Sequence, residues 1–253
     1  MPEPKGASLY DGPFASFYDR HFGNHARELA PRLLRFWADP SNQPPLKEIL
    51  DLGCGPGHLA LPLLEAGYRV TGLDLSEEML ALAKVRCARY LPTGQAQFLA
   101  MDMTRSLPGR HFGTAVSSYN SVNHLKDPGQ LRECFRSVKN SLHPLGAFLF
   151  DFHTLQGLRA WARPEKGSVA GEELEVSGGF EEGEGQAWMR LRGRQDGESF
   201  EGTIWNRSYP LAQVVQWLQA EGFRKVTLSG FGTIGEPLPD PGSVDRVLFV
   251  ARP

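Results

Sequence analysis

Three cysteines in 253 residues, Cys54, Cys87 and Cys134, are odd in number, far apart and without a CxxC pair. That excludes a disulfide framework and leaves no zinc or dithiol spacing, so no metal ligand is assigned. They read as reduced, mostly buried thiols of a cytoplasmic protein. Long apolar runs are also missing: none approaches the roughly 20 residues that cross a bilayer, and "MPEPKGASLYDGPF" lacks the basic and apolar blocks of a leader. No membrane partner is expected. Neither sign of charge dominates, with 27 Lys and Arg against 29 Asp and Glu and a formal net charge of -2, so there is no electrostatic reason to expect nucleic acid as a partner. Internal repeats and low-complexity tracts are absent as well.

What is present is an ordinary globular composition, 41% hydrophobic and 22% charged, in a chain long enough for one large core and an elaboration on it. Residues 47–151 alternate strand-like and helix-like segments, the pattern of a doubly wound α/β fold with a parallel sheet covered on both faces. "KEILDL", "YRVTGLDL", "AQFLAMD", "FGTAVSSY" and "GAFLFDF" read as strands. "HLALPLLEAG", "EEMLALAKVRCARY" and "PGQLRECFRSVKNSL" read as the helices between them. Ser76 is a candidate N-cap, with Glu77 and Glu78 where the helix dipole favours acids. From about residue 167 to 208, alternating stretches separated by "EGEG" and "QDGE" read as three antiparallel strands. A helix, "LAQVVQWLQAEGF", and two strands, "RKVTLSGF" and "DRVLFVARP", then complete a seven-stranded, mostly parallel sheet. This divides the chain into an N-terminal helical cover (1–44), a core (45–155), an inserted antiparallel β layer (156–208) and a return to the core (209–253).

The chemistry concentrates in "LDLGCGPGHL". A dinucleotide fingerprint spaces its glycines G-x-G-x-x-G so that a pyrophosphate sits on the next helix. Here Gly53, Gly55 and Gly57 stand as G-x-G-x-G behind Asp51. A carboxylate at that point repels a pyrophosphate and suits an ammonium group. Asp74, ending the second strand, is placed for ribose hydroxyls. Asp102, ending the third, is placed for an adenine amine with Met103 against the ring, a helix N-cap or loop residue being its other reading. Ammonium, ribose and adenine belong to one ligand, S-adenosylmethionine. An NAD(P)-dependent oxidoreductase and a non-catalytic binder of S-adenosylmethionine are the rival readings.

With "LDLGCGPG" as motif I, "TGLDLS" as the ribose acid and "AMDM" as the adenine strand end, the chain resembles class I S-adenosylmethionine-dependent methyltransferases. The resemblance spans roughly residues 45–155 and implies a Rossmann-like fold, S-adenosylmethionine as cofactor and methyl transfer to a small molecule. Leu75, Met79 and Ser118 join the candidate donor contacts, with core packing as the other reading of Met79. The strand-four ending "SSYNSVNHLKD" has neither the N/D-P-P-Y/F turn of amide and base amino-methylating enzymes nor a Pro-Cys nucleophile. It is similar to that of small-molecule N-methyltransferases of the glycine, sarcosine and amino-sugar kind, which implies an acceptor nitrogen facing Asn120 with His124 nearby. A structural hydrogen bond is the competing reading of His124. Tyr18 and Tyr10 resemble the tyrosines of a helical cover that folds over the donor. His153, beyond the fifth strand in "DFHT", is a candidate proton acceptor. Trp205, Arg207 and Tyr209 return from the inserted layer towards the site, Tyr209 being a candidate substrate contact. His58 reads as solvent-facing, and the chain as a monomer or homodimer.

Overall fold

A computed structural model of the chain describes residues 9–106, 112–162, 166–169 and 172–253. The first eight residues of the opening stretch and Gly171, read as the start of the first inserted strand, lie outside them. Two helices come first, α1 (Pro13–His21) and α2 (Asn24–Ala38). The alternating region follows as β1 (Glu48–Leu52), α3 (Ala60–Glu65), β2 (Arg69–Asp74), α4 (Glu77–Arg86), β3 (Ala96–Ala100), β4 (Phe112–Ser117), α5 (Pro128–Ser141) and β5 (Leu142–His153). Then come α6 (Leu155–Trp161), β6 (Lys166–Val169), β7 (Glu172–Glu181), β8 (Gln186–Gln195), β9 (Glu198–Arg207), α7 (Leu211–Ala220), β10 (Lys225–Ser229) and β11 (Arg246–Arg252).

Seven strands form one sheet in the order β3-β2-β1-β4-β5-β11-β10. The first five are parallel to their neighbours, whereas β11 runs antiparallel to both β5 and β10. The order reverses between β1 and β4, the switch point at which ligands bind in such sheets. Alternation along the strands feeds two cores. Ile49, Leu149 and Val250 meet Leu33 and Trp37 of α2 and Leu63 of α3 on one face. Leu50, Phe148, Phe150 and Phe249 meet Phe135 of α5 and Leu218 of α7 on the other. Phe150 and Phe249 lie stacked, with centroids 4.6 Å apart.

Helix starts follow local chemistry. Ser76 caps α4 by accepting the Met79 N–H, with Glu77 and Glu78 in the first turn, and Asp127 caps α5 through the Gln130 N–H. α6, to which the sequence reading assigned no element, is one short helix capped by Thr154 through the Gly157 N–H. Seven residues give too little periodicity to read.

The inserted layer is antiparallel and holds four strands in the order β6-β7-β8-β9. Three are the long ones read from the sequence; β6 is a four-residue edge strand whose length hides its alternation. Val176 pairs with Leu191 and Met189 with Ile204, setting apolar side chains on one face. On the other, Arg190 and Arg192 both pair with Glu201.

Candidate active site

At the end of β1 the chain turns through Gly53, Gly55 and Gly57, all with φ between 51° and 79°. The left-handed conformation favours glycine, and at Gly53 a Cβ would also stand 2.6 Å from the Ser121 hydroxyl. Asp51 is buried beneath this turn, and its Oδ2 has no hydrogen-bond partner. Burial, with a smaller contribution from Asp74, pushes its carboxyl up to about 7. An unpartnered buried carboxylate is costly on its own, and an ammonium group is the complement it lacks. Asp74 is already engaged: Oδ2 accepts the Gly55 N–H at 2.8 Å and Oδ1 the Ser76 N–H at 3.0 Å. It therefore fixes the glycine turn while keeping free lone pairs for hydroxyls. Leu75 beside it is 74% exposed, an apolar surface suited to a ring.

Asp102 lies two residues beyond the end of β3 rather than closing it. Its Oδ1 accepts from the Thr104 N–H and hydroxyl, both at 2.8 Å, so part of the carboxylate closes its own turn. The Met103 methyl approaches to 3.7 Å of where a Gly53 Cβ would be. Met79 is buried at the start of α4. Ser118 lines the space beside the glycine turn with Tyr18, Phe22 and Tyr119.

At the end of β4 the backbone is unusual. Tyr119 (φ 60°) and Asn120 (φ 54°) are consecutive non-glycine residues in the left-handed region, a conformation sustained only when its surroundings hold it. Asp151 holds it: its two oxygens accept the Tyr119 N–H at 3.1 Å and the Asn120 N–H at 2.7 Å. Wholly buried, Asp151 also faces Arg246 at 3.2 Å and His25 at 3.1 Å. Burial works to raise its carboxyl, but the His25 hydrogen bond, Arg246 and the Asn120 N–H outweigh it and leave it lowered. Arg246 also donates to Asn120 Oδ1 and to His153 Nε2, each at 3.0 Å.

Beyond Asn120 opens a cavity of about 380 Å³. Tyr10, Tyr18, Tyr119, Asn120 and Arg246 form its inner end, and the apolar face of the inserted layer its far wall. Of the sequence candidates, Tyr10, Tyr18 and Asn120 therefore come together there. His124 is half-buried behind Tyr10, Nε2 lying 3.4 Å from its hydroxyl, and desolvation pulls it down to about 4.

Three placements differ from the sequence reading. His153 stands behind Arg246, which occupies its Nε2, and is absent from the cavity lining. Burial first, then Arg246, pulls it down to about 4, so it is not set to take a proton from an acceptor. Tyr209 packs its ring on Trp217, centroids 5.0 Å apart, outside the cavity, because the chain turns into α7 immediately after it. His58 is buried instead of solvent-facing, its Nε2 3.0 Å from Asp19 Oδ1, because α1 lies across the glycine turn. Burial and then Arg86 lower it.

The sequence reading missed Phe14 and Phe22, although with Tyr18 they recur every four residues along one face of α1. It missed Arg246 and His25 too, which carry no local signal and acquire their roles only when the sheet brings β11 beside β5. Asn120 Nδ2 donates to Asn206 Oδ1 at 3.3 Å and Asn123 Nδ2 to the Arg207 carbonyl at 2.8 Å, and these two bonds stitch β9 to the core.

Residues 49–146 match a family model described as a methyltransferase domain. A putative methyltransferase, YqeM, from Bacillus subtilis is 37% identical over 148 residues, 58% of this chain and 56% of that protein. A ubiquinone biosynthesis O-methyltransferase from Pseudomonas aeruginosa is 35% identical over 98 residues, 37% of this chain and 40% of that one. The chain thus spans about half the length, or less, of these curated relatives. The fold is that of an S-adenosylmethionine-dependent methyltransferase from Clostridium acetobutylicum, with a TM-score of 0.78, 19% identity and coverage of 94% of this chain and 97% of the other.

Proposed function

We propose that this chain, which carries a methyltransferase domain over residues 49–146, uses S-adenosylmethionine to methylate a small-molecule acceptor on nitrogen. The observation that carries the reading is Asp51, a buried carboxylate with an unpartnered oxygen at the head of the glycine turn. Asp51 would hold the donor's ammonium, Asp74 its ribose hydroxyls, and Leu75, Asp102 and Met103 its adenine. Bound there, S-adenosylmethionine supplies an electrophilic methyl group on a sulfonium that leaves as a neutral thioether.

What remains for the chain is alignment and exclusion of water. Tyr18 and Phe22 cover the glycine turn and also line the acceptor cavity, so donor and acceptor would meet beneath one aromatic roof. Asn120 orients the acceptor with the amide capacity that its bonds to Arg246 and Asn206 leave free. The cavity volume of about 380 Å³ suits a small molecule. Nitrogen is favoured over oxygen because His124 and His153 are both held near 4 and turned to other partners. An amine needs no base in the methyl-transfer step once it is uncharged, whereas a hydroxyl must lose its proton.

Isothermal titration tests the reading directly. S-adenosylhomocysteine should bind, NADH should not, and Asp74→Ala should weaken S-adenosylhomocysteine roughly tenfold to a hundredfold. Heat from NADH with none from S-adenosylhomocysteine would overturn it.

A further inference from the structure

The cavity beyond Asn120 has a composition that restricts what can enter it. Its far wall is apolar: Val176, Met189, Leu191 and Ile204 of the inserted sheet, with Trp161 of α6 and Phe14 of α1. No carboxylate stands in its described lining. Asp151 is wholly buried behind Arg246, and Asp51 belongs to the glycine turn. The charged group that does face the cavity is a guanidinium, Arg246, which also lies over the Tyr119 ring at 5.5 Å. An ammonium group placed here would lose its water, gain no counter-charge and meet a fixed cation. A diphosphate would bring two charges or more against one arginine, which Asp151 also engages at 3.2 Å. A neutral molecule with an apolar body meets neither cost.

Resting on the nitrogen-methylation reading above, we infer that the acceptor is an apolar molecule of one or two rings carrying a weakly basic nitrogen, an arylamine or N-heterocycle, bound uncharged. Its body lies on the inserted sheet and its nitrogen faces Asn120. Arg246 acts here as a specificity determinant: its charge keeps the nitrogen unprotonated, the state in which the lone pair is available to the methyl carbon. As the C–N bond forms the C–S bond breaks and the electron pair returns to sulfur; an arylamine nitrogen then gives up one N–H proton to solvent, whereas a heterocyclic nitrogen without N–H leaves as the N-methyl cation. The inserted sheet, which has no counterpart in the parallel core, thereby gains its role as the acceptor's apolar floor.

The test uses the whole chain saturated with S-adenosylhomocysteine and four probes of matched size or chemistry: 1-aminonaphthalene, 1-naphthylmethylamine, 1-naphthol and UDP-glucosamine. At pH 7 calorimetry should give 1-aminonaphthalene at least tenfold tighter binding than 1-naphthylmethylamine, which is an ammonium there. The gap should close towards pH 10 as that ammonium loses its proton. The tyrosines facing the probe do not produce this trend, because burial raises Tyr10, Tyr18 and Tyr119. His25, Asp151 and His153 stand behind Arg246 and act on both amines alike. Ile204→Glu, which puts a carboxylate on the apolar wall, should reverse the preference at pH 7. Tighter binding of 1-naphthylmethylamine or UDP-glucosamine by the unaltered chain, or no binding of 1-aminonaphthalene, would overturn the inference. With S-adenosylmethionine supplied, methylation of 1-naphthol but not of 1-aminonaphthalene would overturn it together with the choice of nitrogen. Failure of S-adenosylhomocysteine to bind at all would instead strike the methyltransferase reading itself.

Discussion

Asp51 is the residue at which burial and ligand chemistry are most tightly linked. Its carboxyl sits at about 7 before any ligand arrives, and an ammonium group requires it ionised. Below pH 7 the donor must therefore displace a proton on binding, so affinity should weaken by roughly tenfold for each pH unit lost. The dissociation constant of S-adenosylhomocysteine measured from pH 5.5 to 8 should show that slope, and Asp51→Asn should flatten it while weakening binding at pH 8. For the empty protein the sign is opposite. A carboxyl raised on folding contributes stability below its unfolded value near 4 that is lost as pH rises through about 7, so Asp51→Asn should melt higher than the unaltered chain at pH 8. Asn120 invites a different test. Because its side chain faces the cavity rather than the glycine turn, Asn120→Ala should lower kcat/KM for a true acceptor roughly tenfold to a hundredfold while leaving S-adenosylhomocysteine affinity nearly unchanged. An equal loss in both would place it in the donor site.

Among the elements, the turn after β4 depends on a partner distant in sequence. Asp151 on β5 fixes both Tyr119 and Asn120 and is itself fixed by Arg246 on β11 and His25 on α2. Asp151→Ala would leave a half-buried guanidinium without its wholly buried counter-charge and should cost roughly 3 to 5 kcal/mol in urea unfolding. The pH dependence follows from the lowered carboxyl. Its contribution is present above the unfolded value near 4 and lost as pH falls through the lower folded value, a loss below pH 4 that Asp151→Ala should lack. This turn also marks where sequence reading reaches its limit. The strands, the Ser76 cap and the glycine turn announce themselves through alternation and through residues within four positions of one another. The left-handed pair, its clamp and the burial of His58 depend on partners 31 to 126 residues away, and no local pattern encodes them. Asp102, open in the sequence between a strand end and a loop or helix-cap residue, is drawn into a turn by Thr104.

For the molecule as a whole, the N-terminal helices determine access. Beside the glycine turn, between Tyr18 and Phe22 above and Ser118 and Gly55 below, about 30 Å³ is open, room for roughly one or two waters and far short of a methionine arm. The cover is tied down at several points. Ser76 donates its hydroxyl to the Tyr10 carbonyl at 2.8 Å, His25 meets Asp151, and Asp19 at the end of α1 pairs with both His58 and Arg86. If the proposed donor binds beside the glycine turn, α1 would lift from the sheet edge and settle again over the ligand, and binding should then be limited by opening rather than by encounter. Asp19 itself lines neither cavity. Asp19→Ala should accordingly speed both association and dissociation of S-adenosylhomocysteine in stopped-flow fluorescence, with a smaller change in their ratio. Hydrogen exchange supplies the independent reading: in the unaltered chain S-adenosylhomocysteine should slow exchange across residues 13–38, and Asp19→Ala should exchange faster there when empty. Unchanged exchange over those helices on ligand binding would mean that the donor enters past a cover that stays closed, by a route along Leu75 and the open end of β2.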